Sequence, residues 1–218
     1  MGDYLLNALV TLAVTIDPIG LAPIFVALTR GMTDLQRRQT AIRATLTATL
    51  ILFAFALGGE KLITFLGISI PAFRIAGGLL LFWIAFEMVF ERRDKRKQVS
   101  ADRALEESAF DAEDVRHLAI FPLAIPLISG PGAISATILI ASGAPDTLGL
   151  IGLLVIVALL VLSCLLVFML AGPLDRVLGD TGRIVLTRLL GVLLSALSVQ
   201  FVADGIVAIV RASGLPAA

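Results

Sequence analysis

Two short strings carry residues that a hydrophobic sequence otherwise has little use for: TIDPIGLAPIF from Thr15 and IPLISGPGAISATI from Ile125. Proline has no amide hydrogen and drives the residue before it out of the helical region, so Asp17-Pro18 and Gly130-Pro131 each end one helical segment and begin another. Aspartate is a favoured N-cap and proline a favoured first helical residue. Asp17 is therefore expected to cap a second half-helix, with Pro18, Gly20 and Pro23 preventing a straight continuation. Ser129 or Gly130 does the same in the second string. Two half-helix starts present positive dipole ends, a setting for an anionic group. They differ in charge: Asp17 brings a carboxylate to the first break, whereas the second offers Ser129, Gly130, Pro131, Gly132 and exposed amides. One end suits an ammonium and the other a carboxylate, the two charges of a zwitterionic amino acid.

The rest of the chain must hold these breaks in place. Its 218 residues are 58% hydrophobic and 16% charged, with a mean hydropathy of +1.01, so lipid must be the main solvent. Crossing ~30 Å of hydrocarbon takes roughly 20 apolar residues. Six runs qualify: Tyr4 to Leu28, Ala44 to Gly59, Ala72 to Phe90, Leu118 to Pro145, Thr147 to Leu174 and Leu189 to Val210. The second is short and ends at Glu60 and Lys61, where it either stops or runs on into the next apolar stretch. Both breaks fall near the middle of their spans, where freed backbone groups cannot face lipid and must line a cavity or find internal partners. A charge at that depth costs about 2.5 to 3.5 kcal/mol. Asp17 then either couples solute movement to H+ or Na+, or caps the freed amides. Arg74 is expected to pair with Asp17, Glu60 or Asp204, or else to reach the headgroups with its long side chain. Asp204 is a candidate second acid of the site, and Glu87 is expected at the membrane interface.

Positive charge sets the orientation. With the N-terminus outside, Arg30, Arg37, Arg38, Arg43, the basic part of 91–117, Arg176, Arg183 and Arg188 lie inside, and only Lys61, Arg74 and Arg211 lie outside. Both termini are expected to face outward. The hydrophilic stretch 91–117, basic and then acidic and ending at His117, divides the chain into a first unit 1–90, a cytoplasmic linker and a second unit 118–218. The two units are similar. RIAGGLLLFWIAFEMV from Arg74 matches RLLGVLLSALSVQFVA from Arg188 at Arg, Gly and Leu-Leu with a shift of 114 residues, and the two breaks align at close to 112. Three spans per unit is an odd number, so the second unit enters the bilayer from the opposite face. The expected fold is an all-α polytopic membrane protein, with six transmembrane helices in two inverted three-helix repeats and helices one and four broken at mid-membrane. Arg74 and Arg188 then hold equivalent positions on opposite sides.

The strings GISIPAFRIAGGLLLFWIAFEMVF, FPLAIPLISGPGAI and RLLGVLLSALSVQFVADGI resemble the MarC family of six-span bacterial and archaeal membrane proteins, and the likeness runs nearly end to end. That family is grouped with amino-acid exporters of the LysE type, and some members look like transporters of glycine and other neutral amino acids. The resemblance implies a secondary transporter of small neutral amino acids in the bacterial inner membrane. Asp17 and Asp204 stand where such proteins frequently carry Asn, which gives weight to a capping or hydrogen-bonding role. The sequence leaves two alternatives, another small metabolite or drug as cargo, or a membrane scaffold that moves nothing. ATP use is not expected without a P-loop signature. An enzyme is not expected either: there is no HExxH or GxSxG, one histidine, and one cysteine, Cys164, inside an apolar run. No cofactor, metal or nucleic-acid partner is expected, and a homo-oligomer is allowed.

Overall fold

Helix α1 (Gly2–Ile16) and helix α2 (Pro18–Leu28) are separated by Asp17 alone. They are followed by α3 (Asp34–Phe65), α4 (Ile70–Val89), an irregular segment Ala119–Ile128, α5 (Pro131–Ser142), α6 (Thr147–Met169) and α7 (Ala171–Ala212). These elements come from a computed structural model that describes residues 1–29, 32–90, 99 and 119–213. Arg30, most of the 91–117 linker and His117 lie outside the described residues. Among those described, the protein is all-helical, and five stretches are long and apolar enough to cross a membrane: Gly2–Leu28, Asp34–Phe65, Ile70–Val89, Thr147–Met169 and Ile184–Ala212. The fourth span is assembled from two pieces, since α5 has 12 residues and rises only about 18 Å.

The local causes are readable. Thr33 and Gln36 form a reciprocal capping box that starts α3. Ser69 caps the Ala72 amide at the start of α4, and Asp146 caps the Gly149 amide at 2.8 Å at the start of α6. Helix α3 runs unbroken past Glu60 and Lys61, both exposed, so the second span is longer than its clean apolar core. The last helix begins at Ala171 rather than near Leu189, because Pro173 falls in its first turn, where a missing amide hydrogen costs nothing. The fifth span correspondingly ends at Met169 and not at Leu174.

The broken spans are central and the unbroken ones surround them. In an 18-residue apolar window of each span, 61% of the residues are buried in Gly2–Leu28, against 28% in Thr147–Met169 and 17% in Ile184–Ala212. In α5 an almost continuous run from Gly132 to Ile140 is buried, so protein covers it on every side. The outer helices instead expose large apolar side chains, for example Ile151, Val155, Leu159, Leu162 and Leu166 along one stripe of α6. That stripe is suited to lipid and not to water.

Packing partners follow a rule of exchange. Helix α3 packs on the Ala119–Ile128 segment and α5, while α6 packs on α1 and α2; α4 packs on α5, while α7 packs on α2 and α1; and α4 packs along α7. Replacing each span of one half by its equivalent in the other leaves this set unchanged. The same offset recurs at three levels. The half-helix starts Pro18 and Pro131, the helix starts Asp34 and Thr147, and the glycines Gly78 and Gly191 are each 113 residues apart. A Cβ on Gly78 would lie 2.9 Å from the Ser198 carbonyl oxygen and 2.8 Å from Val202, and one on Gly191 would lie 3.1 Å from the Ala85 carbonyl oxygen and 3.0 Å from Val89. Ala85 with Ser198, and Val89 with Val202, keep that same separation. The structural offset is thus 113, in keeping with the value close to 112 read at the breaks and one less than the 114 read from the Arg74 and Arg188 strings, so Arg74 aligns with Thr187 rather than with Arg188.

These two close approaches predict that Gly78→Val and Gly191→Val each force α4 and α7 apart, at a cost of about 1 to 3 kcal/mol. Thermal unfolding in detergent should show a lowered midpoint for both. Gly58→Ala, where nothing lies within 4 Å of an added Cβ, should melt with the wild type.

Candidate functional site

The first break is made by one residue. Asp17 has φ 56° and ψ 66°, in the left-handed region. Its amide still donates to the Ala13 carbonyl at 2.9 Å, closing α1, and its Oδ1 accepts from the Gly20 amide at 3.1 Å, opening α2. A non-glycine residue in this conformation costs of order 1 kcal/mol, and Asp and Asn are the side chains that tolerate it best. The carboxylate lies over Gly20, where an added Cβ would collide with Oδ2. Gly20 is thus required by space at the cap. Asp17 is 4% exposed, so its side chain is held inside the protein. Pro23 does not end α2, which continues to Leu28 around it; the proline only leaves the Ile19 carbonyl without its usual helical donor.

The second break is wider. Phe121 and Ile125 both adopt extended dihedral angles, at φ −129°, ψ 120° and φ −128°, ψ 122°. Each precedes a proline, Pro122 or Pro126, whose ring disfavours the helical conformation in the residue before it. Only these two residues leave the helical region in Ala119–Ile128, and a regular α-helix begins at Pro131, with Gly130 as an extended N-cap that offers no side-chain bond to the amides of α5. Ser129 does not cap α5: its Oγ donates to the Ala48 carbonyl of α3 at 3.3 Å and its amide to Ala124 at 2.9 Å. Gly132 lies beneath Ile84 of α4, so close that an added Cβ would meet Ile84 Cδ1. Ser129 and Gly132 are buried, and Pro131 is exposed between them.

The two broken spans run antiparallel. Tyr4, in the first turn of α1, donates its hydroxyl to the Ile140 carbonyl at 3.0 Å near the end of α5. Since α1 and α5 pack together, the end of α1 lies near the depth at which α5 begins. Phe25 of α2 stacks on Phe168 of α6 at 4.4 Å, holding the first break to α6. The second break is held between α3 and α4 by Ser129 and Gly132.

The expected outlying charges fall elsewhere. Arg74 is half-buried and makes no ion pair with Asp17, Glu60 or Asp204; its Nη2 lies by Gly143, at the C-terminal end of α5, where the helix dipole is negative. Asp204 is exposed and accepts from Gln200 Nε2 at 2.8 Å, one turn back on its own helix. Arg188 is exposed as well. Glu87, expected at the interface, is instead buried at 6% exposure and accepts from Trp83 Nε1 at 3.1 Å. The four-residue spacing of Trp83 and Glu87 was a signal for this pairing. Thr11 and Thr15, buried on α1 just before the break, were not singled out either.

Comparison with known proteins decides the family. The profile described as MarC family integral membrane protein matches residues 2–210. The chain belongs to the MarC family. A UPF0056 membrane protein of Archaeoglobus fulgidus is 39% identical over 213 residues, 94% of this chain and 92% of its own length. UPF0056 membrane protein YhcE of Escherichia coli K12 is 38% identical over 194 residues, 88% of this chain and 86% of its own. A UPF0056 membrane protein of Aquifex aeolicus is 36% identical over 206 residues, 94% and 93%. Those names state a membrane protein and no solute. No solved structure matches this chain. This MarC-family chain is thus an integral membrane protein whose centre is two interrupted spans.

The cap geometry predicts an order of stability at position 17. Asn keeps both the left-handed conformation and an acceptor for Gly20, so Asp17→Asn should melt near the wild type. Ala supplies neither, and Asp17→Ala should lose about 1 to 3 kcal/mol, the cap and the conformation together. Equal midpoints for the two variants in detergent melts would refute the capping role.

Proposed function

We propose that this MarC-family protein is a secondary transporter of small neutral amino acids in the bacterial inner membrane, with both termini on the outer face and transport driven by a proton or sodium gradient. The observation that carries this reading is the contrast between the two breaks. One holds a buried carboxylate, Asp17, and the other opens α5 with amides that no side chain caps. A zwitterion offers one group to each: its ammonium to Asp17 and its carboxylate to the amides and dipole at Gly132 and Ala133. The antiparallel course of α1 and α5, with the single 113-residue offset, supports inverted halves around this site. Such an architecture suits alternating access, in which one unit moves against the other around a fixed site. Asp17 already spends one oxygen on the Gly20 amide, which favours a hydrogen-bonding role over an obligatory charge.

The test is uptake of labelled glycine and alanine by proteoliposomes under imposed proton and sodium gradients. Wild-type protein should take up both faster than empty vesicles do. Asp17→Asn, which keeps the cap, should retain uptake, and Gly132→Leu should lose it at normal expression. Equal flux in empty and loaded vesicles would remove the proposal.

A further inference from the structure

A pocket of about 270 Å³ opens at the end of the molecule that carries the N-terminus, lined by Asp3, Tyr4, Asn7, Ile140 and Phe201. It lies where α1, α5 and α7 meet, so both broken spans reach it. Asp3 and Asn7 are one helical turn apart on α1, and the same interval continues to Thr11 and Thr15. Residues four apart share a helix face, so these four form one polar row, about 18 Å long at 1.5 Å per residue. The row starts in the pocket and ends two residues from Asp17. Its inner half is fully enclosed, with Thr11 at 0% and Thr15 at 4% exposure.

A buried threonine in a membrane helix ordinarily satisfies its hydroxyl on the carbonyl one turn back, and Thr29, Thr45, Thr49 and Thr137 all do so, as does Thr15 at 2.7 Å from the Thr11 carbonyl. Thr11 departs from that pattern. Its hydroxyl donates to the Asn7 side-chain oxygen at 3.0 Å, toward the pocket. The row is therefore linked side chain to side chain at the point where the pocket ends and the enclosed part begins.

We infer that the Asp3–Asn7–Thr11–Thr15 row is the solute path between the pocket on the N-terminal face and the break at Asp17, open to water down to Asn7 and closed below it in this conformation. The pocket's chemistry, a carboxylate, an amide and the Phe201 ring, is that of a vestibule for a small ammonium-bearing solute. This deepens the transporter reading and rests on it for the identity of the solute, but not for the route.

The route is tested without any solute. Single cysteines at Asn7, Thr11, Thr15 and Leu9, in a Cys164→Ser background, are reacted with a membrane-impermeant thiol reagent in vesicles of each orientation. From the face bearing the N-terminus, Asn7→Cys should react fastest, and Thr11→Cys and Thr15→Cys more slowly. Leu9→Cys, exposed on the outside of the bundle, should stay silent. Thr11→Cys and Thr15→Cys as silent as Leu9→Cys, or all four reacting alike, would overturn the path. The unmutated protein supplies a second reading by radical footprinting in nanodiscs. Tyr4 and Phe201 should oxidise and the lipid-facing Phe82 should not; equal protection of all three would overturn the vestibule. Glycine or alanine should slow labelling at Thr15→Cys. Labelling of the row without such protection would keep the path and reject the amino-acid reading.

Discussion

Hydrocarbon offers no hydrogen bonds, so every backbone group that a broken helix releases must find its partner inside the protein. That constraint organises this molecule. The starts of the second half-helices, at Asp17 and Gly132, are buried, and the four continuous helices pack against the two interrupted spans, which still present Leu6, Leu9, Ile120, Phe121 and Ile125 on their outer flanks. The continuous helices satisfy their own backbones and can afford bare apolar flanks, which is why, among the five long apolar stretches, the windows in α6 and Ile184–Ala212 are the least buried and that in Gly2–Leu28 the most. An arrangement with a broken span at the periphery would leave amides and carbonyls in the acyl region, each at a cost of several kcal/mol.

Within that centre the two interruptions are solved differently. At Asp17 one residue does everything: it takes the left-handed turn, closes α1 with its amide and opens α2 with its carboxylate, and Gly20 leaves room beneath it. In the second span two prolines force two extended residues into the ten-residue helical segment Ala119–Ile128, and Ser129 and Gly130 follow before α5 starts. Part of the released polarity is taken up by distant backbone, as when Ser129 reaches Ala48. The compact break keeps its dipole end capped, while the wide one leaves its helix start without a side-chain cap. On that difference the proposed amino-acid reading rests.

The α4–α7 contact shows how the halves are joined. Two glycines, one from each half, admit the backbone of the opposite helix, each at the same register. Small residues of this kind let membrane helices approach closely where no hydrophobic driving force exists between them. The seam adjoins the second break, since Ile84 over Gly132 is next to Ala85, whose carbonyl faces Gly191.

Much of this was legible in the residues. The apolar runs, the breaks at Asp17-Pro18 and Gly130-Pro131 and the cap at Asp17 follow from local rules: proline geometry, capping preference and the length needed to cross lipid. Those rules act within a few residues and need no fold to operate. Local rules also held missed information, in the prolines at 122 and 126 and in the four-residue row on α1. What the chain alone left undecided were the quantities that depend on two segments at once. The two strings from Arg74 and Arg188 suggest 114 and the prolines of the two breaks 113, and the contacts of Gly78 and Gly191 with each other's helices favour 113. Arg74 was found at the end of α5 rather than on a carboxylate, and Glu87 was buried, because burial and partners are set by what packs opposite. A helix's own sequence says where it must start and stop; only the neighbouring helices decide which of its faces meet protein and which meet lipid.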